Sequence, residues 1–202
     1  MDLIEKTLVE YIDAVDSDIP APGGGSVAAL VGALGVSLAK MSAHFSVTKK
    51  KFKEADKRKQ NQFILAFKEL DYYKDLLIKG VDDDAISYET VAQALKSKDN
   101  ESIQKALKVS TIVAFDMQDA SYNALLFAEK LIALGNKYLY SDLISAAILL
   151  AACNEMASLN VKANASMLEN IEEKEDYINK SMDLVNKSKR LKSKIINTIN
   201  KI

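Results

Sequence analysis

At 202 residues, 49% hydrophobic and 27% charged, the chain is long enough for one substantial core and short for two, so a single domain spanning 1–202 is expected. A net charge of −1 and a pI near 6.0 argue against an overall nucleic-acid or polyanion binder. One cysteine cannot close an internal disulfide, and no charged-then-apolar leader opens the N-terminus, which together predict a cytoplasmic protein.

Taken in chain order, Leu3, Leu8, Tyr11, Ile12 and Val15 fall at helical spacing, and Asp16 to Asp18 end that first helix. Pro20-Ala21-Pro22-Gly23-Gly24-Gly25-Ser26 comes next, with Ser26 as candidate N-cap of a small-residue helix reaching about Ser46. The most apolar stretch of that helix, Val27 to Ala39, is shorter than the roughly 20 residues a membrane span needs, so a buried helix and no membrane contact are expected. An amphipathic helix from about Lys53 carries Phe63, Phe67, Leu70 and Leu77 on one side and stops near Gly80. Asp82 to Lys96 reads as a separate short helix with its acids in the first turn, where the helix dipole favours them. After a break at Ser97 to Asn100, a long helix runs from Glu101 to Leu134 with Gly135 as its cap. Ser141 is the candidate N-cap of a helix through Met156, and a charged helix from about Glu169 to Ile202 closes the chain. No alternating strand pattern is longer than a few residues. The fold class predicted is all-α, an up-and-down helical bundle of long antiparallel helices in a single domain.

Three consecutive glycines in an otherwise helical chain call for an explanation. Glycine costs a helix roughly 1 kcal/mol relative to alanine, so Gly23, Gly24 and Gly25 imply either positive-φ turns or close approach by a ligand or another chain. A helix starting there aims free N–H groups and its positive dipole end at whatever occupies the loop. A flexible linker is the alternative, although this loop leads directly into the most apolar helix of the chain.

Pro22 to Ala29, then Gly32-Ala33-Leu34-Gly35, Met41 and Lys49-Lys50-Lys51-Phe52, resemble the opening signature of the cyclodeaminase/cyclohydrolase family, which acts on one-carbon adducts of tetrahydrofolate. Asp84-Ala85-Ile86-Ser87-Tyr88-Glu89-Thr90-Val91 resembles that family's Asp-Ala-x-Ala-aromatic-x-x-Val stretch. Gly135-Asn136 with Ser141-Asp142 resembles its Gly-Asn…Ser-Asp loop, and Asn160-Val161 with Asn164 its late Asn-Val-x-x-Asn. The resemblance covers roughly Leu3 to Leu168. Ile86 and Ser87 depart from the second motif, and Ala114 stands where a proline is usual.

The resemblance implies a 5,10-methenyltetrahydrofolate cyclohydrolase, with a formiminotetrahydrofolate cyclodeaminase as the close alternative and a non-catalytic helical interaction protein as a third reading. Both reactions need a group that takes a proton and returns it to a departing nitrogen, work for one carboxylate of shifted pKa. Asp84 is the catalytic candidate by its match to the family's acid. Asp82 and Asp83 beside it are expected to raise its pKa by like-charge repulsion; the competing reading is that all three acids only cap a helix. Substrate-binding candidates are Pro22, Gly23, Gly24, Gly25 and Ser26 in the loop, and Lys49 and Lys50 for the glutamate carboxylates of folate. Asn136, Asp142, Asn160 and Asn164 would supply directed hydrogen bonds to a pterin edge. Caps at Gly135 and Ser141 explain much of the third motif without a ligand. A tetrahydrofolate derivative is the expected substrate, with no metal, since no ligand cluster has zinc spacing. His44 reads as a half-buried helix residue and Cys153 as packing. A homodimer is implied as well, with Ala28, Gly32 and Gly35 buried across a two-fold axis and the site drawing on both chains.

Overall fold

The structure, a computed structural model, describes residues 3–202. Among the described residues there are seven α-helices: α1 (Leu8–Val15), α2 (Gly24–Ser46), α3 (Lys50–Lys53), α4 (Lys57–Ser97), α5 (Asn100–Leu131), α6 (Tyr140–Ala165) and α7 (Ile171–Ile199). Short 3₁₀ turns occupy Leu3–Glu5, Ile132–Leu134 and Lys137–Leu139, and there is no strand among the described residues. The expected all-α bundle is what forms.

Helix α2 sits at the centre because its small residues admit close neighbours. It packs on α6 and α4; α4 pairs with α5, α5 with α6, and α6 with α7. A Cβ at Gly32 would lie 2.7 Å from the Cys153 sulfur and 3.1 Å from Leu77, and one at Gly35 would lie 3.0 Å from Leu150. Ala28, Ala29, Val36, Ala39 and Ala43 are fully buried along the same helix. The small face is therefore consumed inside the chain. Ala28, Gly32 and Gly35 are not available to a two-fold contact, contrary to expectation.

Several boundaries differ from those expected; α5 ends at Leu131 and gives way to the 3₁₀ turn Ile132–Leu134, and three other differences concern Gly80, Ser26 and Ser141. Gly80 does not end a helix: α4 runs unbroken through it, because a glycine is needed where Met117 and Ala29 press closest, and a Cβ there would meet the Met117 sulfur at 2.9 Å. Asp82 to Asp84 thus lie in mid-helix rather than in a first turn. Ser26 is not the N-cap of α2; Gly23 is, and Ser26 lies inside the first turn with its hydroxyl 2.9 Å from that of Tyr11. Ser141 is likewise inside α6, whose N-cap is Leu139. The break before Asn100 forms as expected, with Lys98 in the left-handed region at φ 58° and Asp99 capping α5.

By length and composition, α2 and the segment Lys137–Ala165 are apolar enough to cross a membrane, which the shorter stretch read from sequence did not anticipate. In the bundle 56% and 44% of those windows are buried by neighbouring helices. A stripe on α2 stays uncovered, with Leu34 and Phe45 about half exposed, and Ile148 and Leu159 are exposed on α6. Helix α1 is also loosely held. Only Tyr11 is buried from it, while Leu8, Val9 and Ile12 are exposed.

Candidate active site

Helix α2 begins against the middle of α4, and this crossing gives the glycine loop its physical reason. The backbone N–H of Ser26 donates to Asp84 Oδ2 at 2.8 Å. A Cβ on Gly25 would stand 2.0 Å from Asp84 Oδ1, so only glycine lets the carboxylate reach the helix start. No glycine in the chain has positive φ among the described residues. The left-handed turn is therefore not the explanation, and at Gly25 the close approach is made by this chain's own Asp84 rather than by a ligand or another chain. Gly24 faces open space, with nothing within 4 Å of a Cβ position.

That open space is a cavity of about 190 Å³. Ala21, Gly23, Gly24 and Gly25 make one wall, Asp84 and Tyr88 of α4 a second, and Ser110 of α5 with Asn160 and Asn164 of α6 the third. Tyr88 is one turn beyond Asp84, so both present to the same side. Burial pushes the Asp84 carboxyl above its ordinary value of 3.8, and the Ser26 N–H bond opposes that rise. Like-charge repulsion, the cause expected, is not the one at work. Asp82 accepts from the Leu3 N–H, and Asp83 pairs with Lys79 at 3.0 Å on another side of α4. Asp84 is thus the one acid of the three that lines this cavity.

Behind the cavity, Ser87 donates to the Asp84 carbonyl at 2.9 Å and lies 3.2 Å from the Ser110 hydroxyl. Asn164 Nδ2 donates to the same Ser110 oxygen at 2.9 Å. Asn160 turns its amide nitrogen to the Met156 carbonyl at 3.4 Å. On the opposite side, Tyr11 is buried against Ser26, and its hydroxyl pKa is raised by burial first, despite the Ser26 hydrogen bond, with the charges of Asp84 and Asp82 adding to the rise.

Not all the sequence candidates meet here. Gly23, Gly24, Gly25, Asp84, Asn160 and Asn164 do. Pro22 and Ser26 are buried in the wall rather than lining it. Lys49, Lys50, Asn136 and Asp142 lie at the other end of α2, a helix of 23 residues and so about 34 Å long. There Lys50 pairs with Glu54 at 3.7 Å, Lys49 caps α3, and the Asn136 N–H donates to Ser46 Oγ at 2.9 Å. Asp142 occupies the first turn of α6. Within one chain these residues do not join the cavity. Conversely, sequence reading missed Ser110. Its signal was a hydroxyl on the apolar stripe Ala106, Leu107, Ser110, Ala114, a polar group where the pattern asks for a core side chain.

Other features are structural. Cys153 is fully buried, and burial pushes its thiol up to about 12, away from any nucleophilic role. His44 is exposed rather than half-buried, edge-on to Phe67. A larger groove of about 430 Å³ beside Lys59, Leu65 and Lys130 and a shallow one of about 300 Å³ beside Lys40 and His44 gather none of the binding candidates and are lined by no carboxylate. Among the described residues no group of three or more His, Cys, Asp or Glu has metal-site geometry.

The family model for formiminotransferase-cyclodeaminase matches residues 7–183, and the chain belongs to that family. A methenyltetrahydrofolate cyclohydrolase from Methylorubrum extorquens is 27% identical over 203 residues, covering 96% of each chain. The solved structure of a formiminotetrahydrofolate cyclodeaminase from Thermotoga maritima matches 99% of this chain and 96% of its own with a TM-score of 0.83 at 25% identity.

Proposed function

On the premise of that membership, we propose that this chain is a cytoplasmic enzyme of folate-dependent one-carbon metabolism that hydrolyses 5,10-methenyltetrahydrofolate to 10-formyltetrahydrofolate. The observation that carries the reading is the Asp84 carboxyl, held at the start of α2 and raised in pKa by burial at the edge of the cavity. Water adds to the cationic amidinium carbon, Asp84 accepts the first proton released and returns it to the nitrogen whose bond to the carbon breaks, while the added hydroxyl becomes the formyl carbonyl and gives its proton to solvent. The substrate's own positive charge makes the carbon electrophilic. A carboxyl with a raised pKa serves both halves of this cycle, because it is a stronger base than a solvated aspartate and still able to give the proton back.

The second reading, a formiminotetrahydrofolate cyclodeaminase, is favoured by the likeness to the Thermotoga maritima enzyme. There one folate nitrogen attacks the formimino carbon and Asp84 protonates departing ammonia. A non-catalytic interaction protein would leave a glycine loop with no cavity beside it, which the cavity argues against.

The proposed site is completed by a second copy. A cavity of about 190 Å³ is smaller than the roughly 300 Å³ at which ligand pockets begin, and several of the candidate binding residues sit at the far end of α2. An antiparallel two-fold pairing along the exposed stripe of Leu34 and Phe45 brings the partner's far end to this cavity, with Lys49 and Lys50 meeting the folate glutamates. Purified protein incubated with each substrate, followed by absorbance for the methenyl group and by ammonia release, tests the reading. Turnover of one substrate, lost about 10²–10⁴-fold in Asp84→Asn, is expected. Absence of turnover and of folate binding in the wild type refutes it.

A further inference from the structure

The hydrogen bonds behind the cavity leave no freedom in where their protons lie. Ser87 Oγ is 2.9 Å from the Asp84 carbonyl, which can only accept, so the Ser87 proton is spent there. The 3.2 Å contact between Ser87 and Ser110 must then use the Ser110 proton. With that proton committed, the 2.9 Å contact between Ser110 and Asn164 can be made only by the amide N–H of Asn164. Three contacts share two hydroxyl protons, and the third proton comes from the amide. The chain of donation therefore runs Asn164 to Ser110 to Ser87 to the Asp84 backbone. Both serines are buried, at 5% and 6% exposure, and Ser110 reaches the cavity only at its edge.

Fixing the amide nitrogen on Ser110 fixes the other end of the group. Asn164 lines the cavity, and its Oδ1 accepts no hydrogen bond among the described residues. We propose that Ser87 is a specificity-determining positioning residue: acting through Ser110, it locks Asn164 with its oxygen as an acceptor, so that the cavity selects a ligand edge that donates N–H groups. This rests on the reading that the cavity takes the pterin of a reduced folate, whose amino-pyrimidinone edge carries such donors. An alanine at position 87 breaks the lock. Ser110 is then free to donate to the Asn164 oxygen, and the amide is satisfied equally well after a half-turn that presents NH₂ instead. The family stretch that this segment resembles has Ala where this chain has Ser87, so the lock is a property of this chain's departure from the pattern.

Two measurements on the full chain test the proposal. In ¹H–¹⁵N spectra the side-chain NH₂ pair of Asn164, assigned by its loss in Asn164→Asp, is expected to shift or broaden in Ser87→Ala and in Ser110→Ala. An unchanged pair in Ser87→Ala overturns the proposal and requires no ligand. In titrations with 5-formyltetrahydrofolate, a stable reduced folate, Ser87→Ala and Ser110→Ala each weaken binding about threefold to tenfold, the worth of one neutral hydrogen bond. The double variant binds no worse than Ser110→Ala alone, because both act through one relay. Additive losses, or wild-type affinity in Ser87→Ala, overturn the selectivity role. A wild type that binds no folate, with the Asn164 pair still moving in Ser87→Ala, refutes the folate reading and supports the relay.

Discussion

Replacing Gly25 by alanine puts a methyl group 2.0 Å from Asp84 Oδ1, 2.5 Å from its Cγ and 2.8 Å from Oδ2. Ordinary contact begins at 3.4 Å, so Oδ1 must retreat by about 1.4 Å (3.4 less 2.0). The 2.8 Å bond from the Ser26 N–H cannot survive that movement. The obstacle is the end of a side chain, not backbone, so the fold has a way out: Asp84 rotates away. A charge-assisted hydrogen bond worth about 1.5–3 kcal/mol is lost. Rehydration of the carboxylate and the roughly 1 kcal/mol advantage of alanine over glycine in a helix oppose the loss. Net stability should change by no more than about 2 kcal/mol, or a shift of at most about 8 °C in a chain of this size. Turnover should fall about 10²–10⁴-fold, equivalent to about 2.7–5.4 kcal/mol, since the acid/base group has left its place. Combining Gly25→Ala with Asp84→Asn should cost no more than the first change alone, because both remove one function. Gly24→Ala is the control: its methyl meets nothing, Asp84 stays, and any loss falls in KM. Steady-state kinetics on both substrates, with circular dichroism melts, measure these effects. A folded Gly25→Ala protein with near-wild-type turnover refutes the reasoning.

Asp84 also links stability to pH. Burial raises its folded pKa above 3.8, so the stability tied to its protonated form is fully present below the unfolded pKa and is lost as pH rises through the folded value. Asp84→Asn, which cannot ionise, should therefore melt higher than wild type at neutral pH, with the gap closing as pH falls below the ordinary carboxylate range; a gap constant with pH contradicts the assignment. Gly32→Ala should destabilise by about 1–3 kcal/mol, since its methyl meets the Cys153 sulfur at 2.7 Å, and Cys153→Ala should recover part of that loss in chemical denaturation. Leu34→Glu, placing a charge in the middle of the exposed stripe on α2, should convert a dimer to a monomer of unchanged helical content by light scattering; a wild type that is monomeric and active removes the two-chain site.

Sequence alone determined the elements whose signals are local. The absence of proline after Pro22, the 3.6-residue periodicity and the composition dictate helices, and the Ser97 to Asn100 break lies where Asp99 can cap α5. Motif order likewise pointed to Asp84 and to the glycine loop. Packing decided the rest, because it depends on distances no spacing encodes. Gly80 has the sequence signature of a terminator, yet α4 passes through it because Met117 needs the room. Ser26 has the signature of a cap, yet its hydroxyl turns to Tyr11. Asp82, Asp83 and Asp84 are equivalent as a string, and only the crossing of α2 over α4 buries one of them against the cavity and raises its pKa. Lys49 and Lys50 lie at the opposite end of α2 because 23 helical residues separate them from the glycine loop by about 34 Å, and packing brings Asn136 to that same far end against Ser46.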